Sequence, residues 1–134
     1  MRTLVVEAET LGALALTDEL ELSGHVVVGP ARSSGEAFVL VRAQHPKVAL
    51  IDVNLERDGA SVSLARKLSQ DFDMPVVFIT GHPDVARAHA DYALGALIRP
   101  FAGALVAEIL KYAQARLAGE HAPLPQCPGF EPFR

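Results

Sequence analysis

Five polar residues follow short apolar runs: Glu7 and Glu9 after Thr3-Leu4-Val5-Val6, Asp52 after Val48-Ala49-Leu50-Ile51, Thr80 after Val76-Val77-Phe78-Ile79, and Arg99 after Ala96-Leu97-Ile98. Runs of this length, rich in branched side chains, are too short for helices and read as strands buried on both faces. Such strands belong to parallel sheets, whose chemistry lies just beyond the carboxyl ends of the strands. Acids, a hydroxyl and a cation are thereby brought to one edge of one sheet. The set suits phosphoryl transfer. A carboxylate can attack phosphorus in line, a divalent metal held by neighbouring acids offsets the charge, and a hydroxyl and a cation bind the equatorial oxygens. An isolated aspartate after a strand more often caps the next turn or helix. For Asp52, the three companion segments favour chemistry.

The elements that must position these residues alternate along the chain. Thr10 is placed to cap a helix ending near Leu22, with Gly24 to close it. Leu11, Leu14 and Leu22 fall on one side of that helix and Leu16 and Leu20 on the other, so one side should pack on the sheet and the other on a neighbouring helix. His25 to Gly29 reads as a strand closed by Pro30, and Ser33 or Ser34 starts a helix to about Ala43 with Glu36 in its first turn. A turn at Asp58-Gly59 precedes a helix opened by Ser61. Residues 83 to 93 read as an alanine-rich helix that covers the sheet thinly, and a last amphipathic helix runs from about Gly103 to Leu117. Five strand and helix alternations predict a three-layer α/β domain with a five-stranded parallel sheet and five helices, spanning residues 1–118. Residues 119–134, with prolines at 123, 125, 128 and 132, are expected to form a disordered tail whose Phe130 and Phe133 are free to dock on a partner. Leu105, Ile109 and Tyr112 are expected to pack either on a second copy, giving a homodimer through the last two helices, or on the fourth helix.

With 134 residues, half of them apolar, the chain is expected to make one domain. A formal charge of -4 with 12 scattered Lys and Arg argues against a nucleic-acid surface. No apolar run approaches the ~20 residues needed to span a bilayer, and a cytoplasmic protein without membrane contact is expected. The one cysteine, Cys127, excludes an internal disulfide and reads as a tail thiol. No glycine-rich loop follows the first strand, so nucleotide binding is not expected.

Leu-Val-Val-Glu at 4–7, Ile-Asp-Val-Asn at 51–54, Val-Phe-Ile-Thr-Gly at 77–81 and Arg-Pro-Phe at 99–101 together resemble the CheY-like receiver domain of response regulators over residues 2 to about 118. The resemblance implies a sheet of order 2-1-3-4-5. It implies Asp52 as phosphoacceptor for a partner histidine kinase or phosphotransfer protein, and Mg²⁺ held by Glu7, Asp52 and the Asn54 backbone carbonyl. It also implies Thr80 and Arg99 as phosphoryl-binding switch residues, and His82 at a position that tunes the lifetime of the acyl phosphate. Output would pass by contact with a downstream protein.

Three positions depart from the family pattern. Ala8 stands where a second acidic ligand is usual, so Mg²⁺ binding should fall by at least the ~10–100-fold typical of losing an outer-shell partner. Glu9 is a further candidate ligand, although alternation points it away from residue 8. Arg99 replaces a lysine and could clamp Asp52 bidentately. Ala96 replaces the usual switch aromatic. Two functions follow: a working phosphorelay receiver, or a phosphorylation-independent pseudo-receiver that binds proteins. An aspartyl-nucleophile hydrolase would want a general acid shortly after Asp52, where Asn54 stands. The domain is not expected to be an enzyme.

Overall fold

The computed structural model describes residues 1–54, 60–120, 125 and 128–133. Six strands form one sheet of order β2-β1-β3-β4-β5-β6: β1 Arg2–Val6, β2 Val26–Ala31, β3 Val48–Asp52, β4 Val76–Thr80, β5 Gly95–Ile98 and β6 Phe130–Pro132. The first five are mutually parallel, in the order the resemblance implies. Every residue of β3 and β4 is buried, because helices cover both faces of the sheet.

The helices are α1 Thr10–Leu22, α2 Ser34–Gln44, α3 Ala60–Asp71, α4 Pro83–Arg87 and α5 Gly103–Leu117. On one face Ala37 and Val41 of α2 and Leu64, Ala65 and Leu68 of α3 pack with Leu4, Val6, Ala49, Ile51 and Phe78. On the other, Leu16 and Leu20 of α1 and Val106, Ile109, Leu110 and Ala113 of α5 pack with Val5, Leu50, Val77 and Ile79. The alternation along each strand divides its side chains between these two cores. Ser33 caps α2, its hydroxyl accepting the Glu36 N–H at 3.2 Å, while the Glu36 carboxylate accepts the Arg32 N–H at 2.7 Å.

Several elements differ from expectation. Glu9 rather than Thr10 precedes α1, and no side chain caps that helix. Its end is closed as predicted at Gly24 (φ +84), with the His25 N–H donating to the Leu20 carbonyl at 2.9 Å. Leu11, Leu14 and Leu22 do not meet a neighbouring helix: they are 76, 55 and 84% exposed. The helix beside α1 is α5, which packs with the Leu16 and Leu20 side, and there the Glu19 carboxylate fills the place where Gly103 has no side chain. β2 runs through Pro30 rather than ending at it, since an edge strand tolerates a missing donor. Gly29 (φ +110) makes the bulge, with no room for a Cβ against the Val5 carbonyl. The helix expected over 83–93 is broken into α4 and a 3₁₀ turn at Ala90–Tyr92. Only Ala86 of α4 is buried, too little apolar surface to hold a longer helix despite the alanine content.

The largest correction concerns the segment expected to be a disordered tail. Its residues Phe130–Pro132 form β6, antiparallel to β5, so the sheet has six strands rather than five. Phe130 is buried with Leu105, Ile109 and Tyr112, and Phe133 packs on the opposite core. Leu105, Ile109 and Tyr112 are therefore covered within this chain and do not offer the dimer face considered from sequence. The turn read at Asp58-Gly59 and the Cys127 thiol lie outside the described residues. No described helix is long and apolar enough to cross a membrane.

The two sides of α1 differ in what they contribute. Leu16→Ala should cost about 3 kcal/mol by leaving a core cavity, whereas Leu14→Ala should change stability by less than about 0.5 kcal/mol. Urea unfolding of the two variants measures this contrast.

Candidate functional site

The carboxyl ends of β1, β3, β4 and β5 bring four of the predicted residues together. Glu7 directly follows β1, kept in line by its N–H to the Ala31 carbonyl at 2.9 Å, and is 1% exposed. Asp52 is the last residue of β3. Its carboxylate accepts the Asn54 N–H at 2.9 Å, and its backbone carbonyl accepts the Ser61 hydroxyl at 2.8 Å. Thr80 ends β4, and its carbonyl accepts the Arg99 N–H at 2.8 Å, fixing the start of the Arg99 side chain beside the site.

Arg99 lies between the acids. One guanidinium nitrogen touches the Glu7 carboxylate directly, and the same nitrogen is 3.6 Å from Asp52 Oδ2. The bidentate clamp on Asp52 that the sequence allowed is thus not formed. Glu7 is the closer partner. A single guanidinium cannot fully balance two buried carboxylates, and the Glu7 pKa rises from 4.5 to about 7. Burial is the main cause, followed by a hydrogen bond with Asp52 and the Asp52 charge, while Arg99 and the Glu9 N–H oppose the rise.

The remaining candidates stand at the rim or face elsewhere. The Thr80 hydroxyl accepts the His82 N–H at 2.9 Å and donates to the His82 carbonyl at 3.2 Å, so it is engaged within its own turn. His82 is exposed and precedes α4, and the bonds it makes to Thr80 are those of its backbone. Glu9 is exposed; its N–H donates to Glu7 Oε1 at 3.4 Å, and both carboxylates border Gly12. Asn54 is exposed and meets Asp52 through its N–H.

Receiver domains bind Mg²⁺ at an acidic pocket. Here position 8 is alanine, no three metal-ligating side chains converge among the described residues, and the Arg99 guanidinium sits between Glu7 and Asp52. In this arrangement the donor set suits a guanidinium and does not fit a dication.

Sequence reasoning missed two neighbours. The Arg32 guanidinium donates to the Ala8 carbonyl at 3.1 Å, at the lip where the second acid would stand. Extending β2 past Pro30 would have placed it there. Ser61 was read as a helix opener, a role that masked its bond to the Asp52 main chain.

The raised Glu7 pKa has a definite sign. A native carboxyl that holds its proton longer than the unfolded one contributes stability fully present below pH 4.5 and lost as pH rises through about 7. Relative to Glu7→Gln, the wild type should lose up to about 3 kcal/mol between those limits. Urea unfolding of both proteins at pH 5 and pH 8 should show the gap opening at the higher pH.

A family model described as the response regulator receiver domain matches residues 3–109. The phyllosphere-induced regulator PhyR of Methylorubrum extorquens is 33% identical over 82 residues, covering 60% of this chain and 31% of its own. The transcriptional regulatory protein PdtaR of Mycobacterium tuberculosis is 30% identical over 104 residues, covering 75% of this chain and 50% of its own. The chain thus spans 31 to 50% of the length of these relatives. A solved structure of the anti-anti-sigma factor PhyR from Bartonella quintana superposes with a TM-score of 0.75 at 25% identity, over 88% of this chain and 50% of that one. Fold, sheet order, the carboxylate at the end of β3 and the extent of the match agree: the chain belongs to the response regulator receiver family.

Proposed function

We propose that this receiver domain accepts a phosphoryl group on Asp52 from a partner histidine kinase or phosphotransfer protein and signals by protein contact. The observation that carries the reading is the Asp52 carboxylate itself. It ends a fully buried strand, is oriented by the Asn54 N–H, and has a guanidinium 3.6 Å away. In the transfer, a carboxylate oxygen of Asp52 bonds to phosphorus while the nitrogen–phosphorus bond of the partner's phosphohistidine breaks, its electron pair remaining on the imidazole. Arg99 would turn from Glu7 to the phosphoryl oxygens. A Glu7 pKa of about 7 eases that exchange, because a protonated Glu7 no longer competes for the cation. Thr80 would give up its bonds to His82 to reach the same oxygens, and His82, exposed beside it, would affect the lifetime of the acyl phosphate. The Mg²⁺ implied by the family, with Glu7, Asp52, the Asn54 carbonyl and Glu9 as its candidate ligands, would require Arg99 to vacate the space between the acids.

A second reading has its own observation. Ala8 removes an acid and Arg99 already pairs with both that remain. Together they favour a pseudo-receiver that binds proteins without phosphorylation. Protein output is common to both readings, and a similar chain, PhyR of Bartonella quintana, is an anti-anti-sigma factor.

Intact mass after incubation with acetyl phosphate, with and without Mg²⁺, separates the two. One phosphoryl adduct on the wild type and none on Asp52→Asn supports the phosphoacceptor. No adduct on the wild type, but one after combining Ala8→Asp with Arg99→Lys, supports the pseudo-receiver. No adduct on any variant removes the phosphorelay reading.

A further inference from the structure

β6 is held as a peptide is held in a groove. It is a three-residue strand paired with β5 in the register Leu97↔Phe130, Ala96↔Glu131 and Gly95↔Pro132. The Phe130 ring and the Glu131 carbonyl occupy the place where a Cβ at Gly95 would stand, so any larger residue there would expel the strand. Gly129 turns the chain into the groove at φ +93, a conformation that favours glycine, and its missing Cβ leaves room for Leu105. The Ile98 N–H donates to the Gly129 carbonyl at 2.7 Å and the Phe133 N–H to the Leu94 carbonyl at 3.0 Å. Glu131 receives Arg87 Nε on both oxygens, at 2.7 and 2.8 Å.

These contacts are specific but few. The Arg87–Glu131 pair is exposed on the arginine side and contributes little to stability. Pro132 cannot donate to the ladder. Attachment therefore depends mainly on two aromatic side chains, Phe130 placed over Gly95 and Phe133 packed on the opposite core.

We propose that the outer edge of β5, with Gly95 as a notch, Leu105 as its apolar floor and Arg87 as its cation, is a docking groove for an extended protein segment. β6 fills it within the chain and competes with a partner segment that repeats the order aromatic, acid, any residue, aromatic seen in Phe130-Glu131-Pro132-Phe133. The acid follows from Arg87, the first aromatic from the Gly95 notch, and the antiparallel direction from the ladder. Main-chain bonds to the edge give affinity and these side chains give selectivity.

The test uses a fluorescein-labelled peptide of residues 128–133, titrated with the whole chain and read by fluorescence anisotropy. Phe130→Ala, which loosens β6, should bind it at least ~10-fold more tightly than the wild type, where the tethered strand competes at high effective concentration. Adding Gly95→Val to Phe130→Ala should abolish binding, as should replacing the peptide's first phenylalanine by alanine. If Phe130→Ala fails to fold, Gly129→Val, which strains the φ +93 turn and crowds Leu105, displaces β6 by another route and should show the same ordering. A folded β6-weakened variant that does not bind the peptide, or binding that persists with Gly95→Val, overturns the proposal.

Discussion

Two buried carboxylates share one guanidinium, and the site is organised by that imbalance. Glu7 and Asp52 end adjacent strands, and helices covering both sheet faces keep water from screening them. Arg99 supplies a single positive charge between them. Burial first, and then the hydrogen bond and charge of Asp52, raise the Glu7 pKa to about 7 against the opposing pull of Arg99. In a site with a second acid and a lysine, the same edge would carry more negative charge and a point cation, an arrangement suited to drawing in a metal. The substitutions Ala8 and Arg99 act together: one removes charge and the other neutralises part of what is left.

That balance rests on the strands, because the acids meet only if β1 and β3 are neighbours in register. Val6 pairs with Ile51, so Glu7 and Asp52 leave the sheet side by side, and the step between Thr80 and Ile98 sets Arg99 alongside. Ser61 and Asn54 then fix the main chain and carboxylate of Asp52 from the far side. The site is consequently a property of sheet register more than of any loop.

The parts legible in the sequence were those with a strong local signal. Apolar runs ending in polar residues located β1, β3, β4 and β5 and the polar residues at their ends, and Gly24 and the Ser33-Ser34 pair marked helix boundaries through backbone chemistry. What was not legible depended on distant partners. Leu11, Leu14 and Leu22 have the spacing of a buried side and yet face outward, because α5 meets α1 on the Leu16 and Leu20 side, with Glu19 at Gly103. Residues 83–93 have the composition of a helix but too few buried side chains to sustain one. The proline-rich tail has no internal period, and only the absent side chain at Gly95, thirty-five residues earlier in sequence, reveals where Phe130 goes. The pairing of Arg99 with Glu7 rather than Asp52 likewise turns on distances that no spacing encodes.

The sheet's two outermost strands share a property: β2 contains Pro30 and β6 contains Pro132. A proline interrupts the row of N–H donors that an incoming strand would need, and Gly29 adds a bulge to β2. Neither border therefore offers a continuous template for end-to-end growth of the sheet. At high concentration these molecules are protected against stacking into extended β-assemblies by the residues that make both borders irregular.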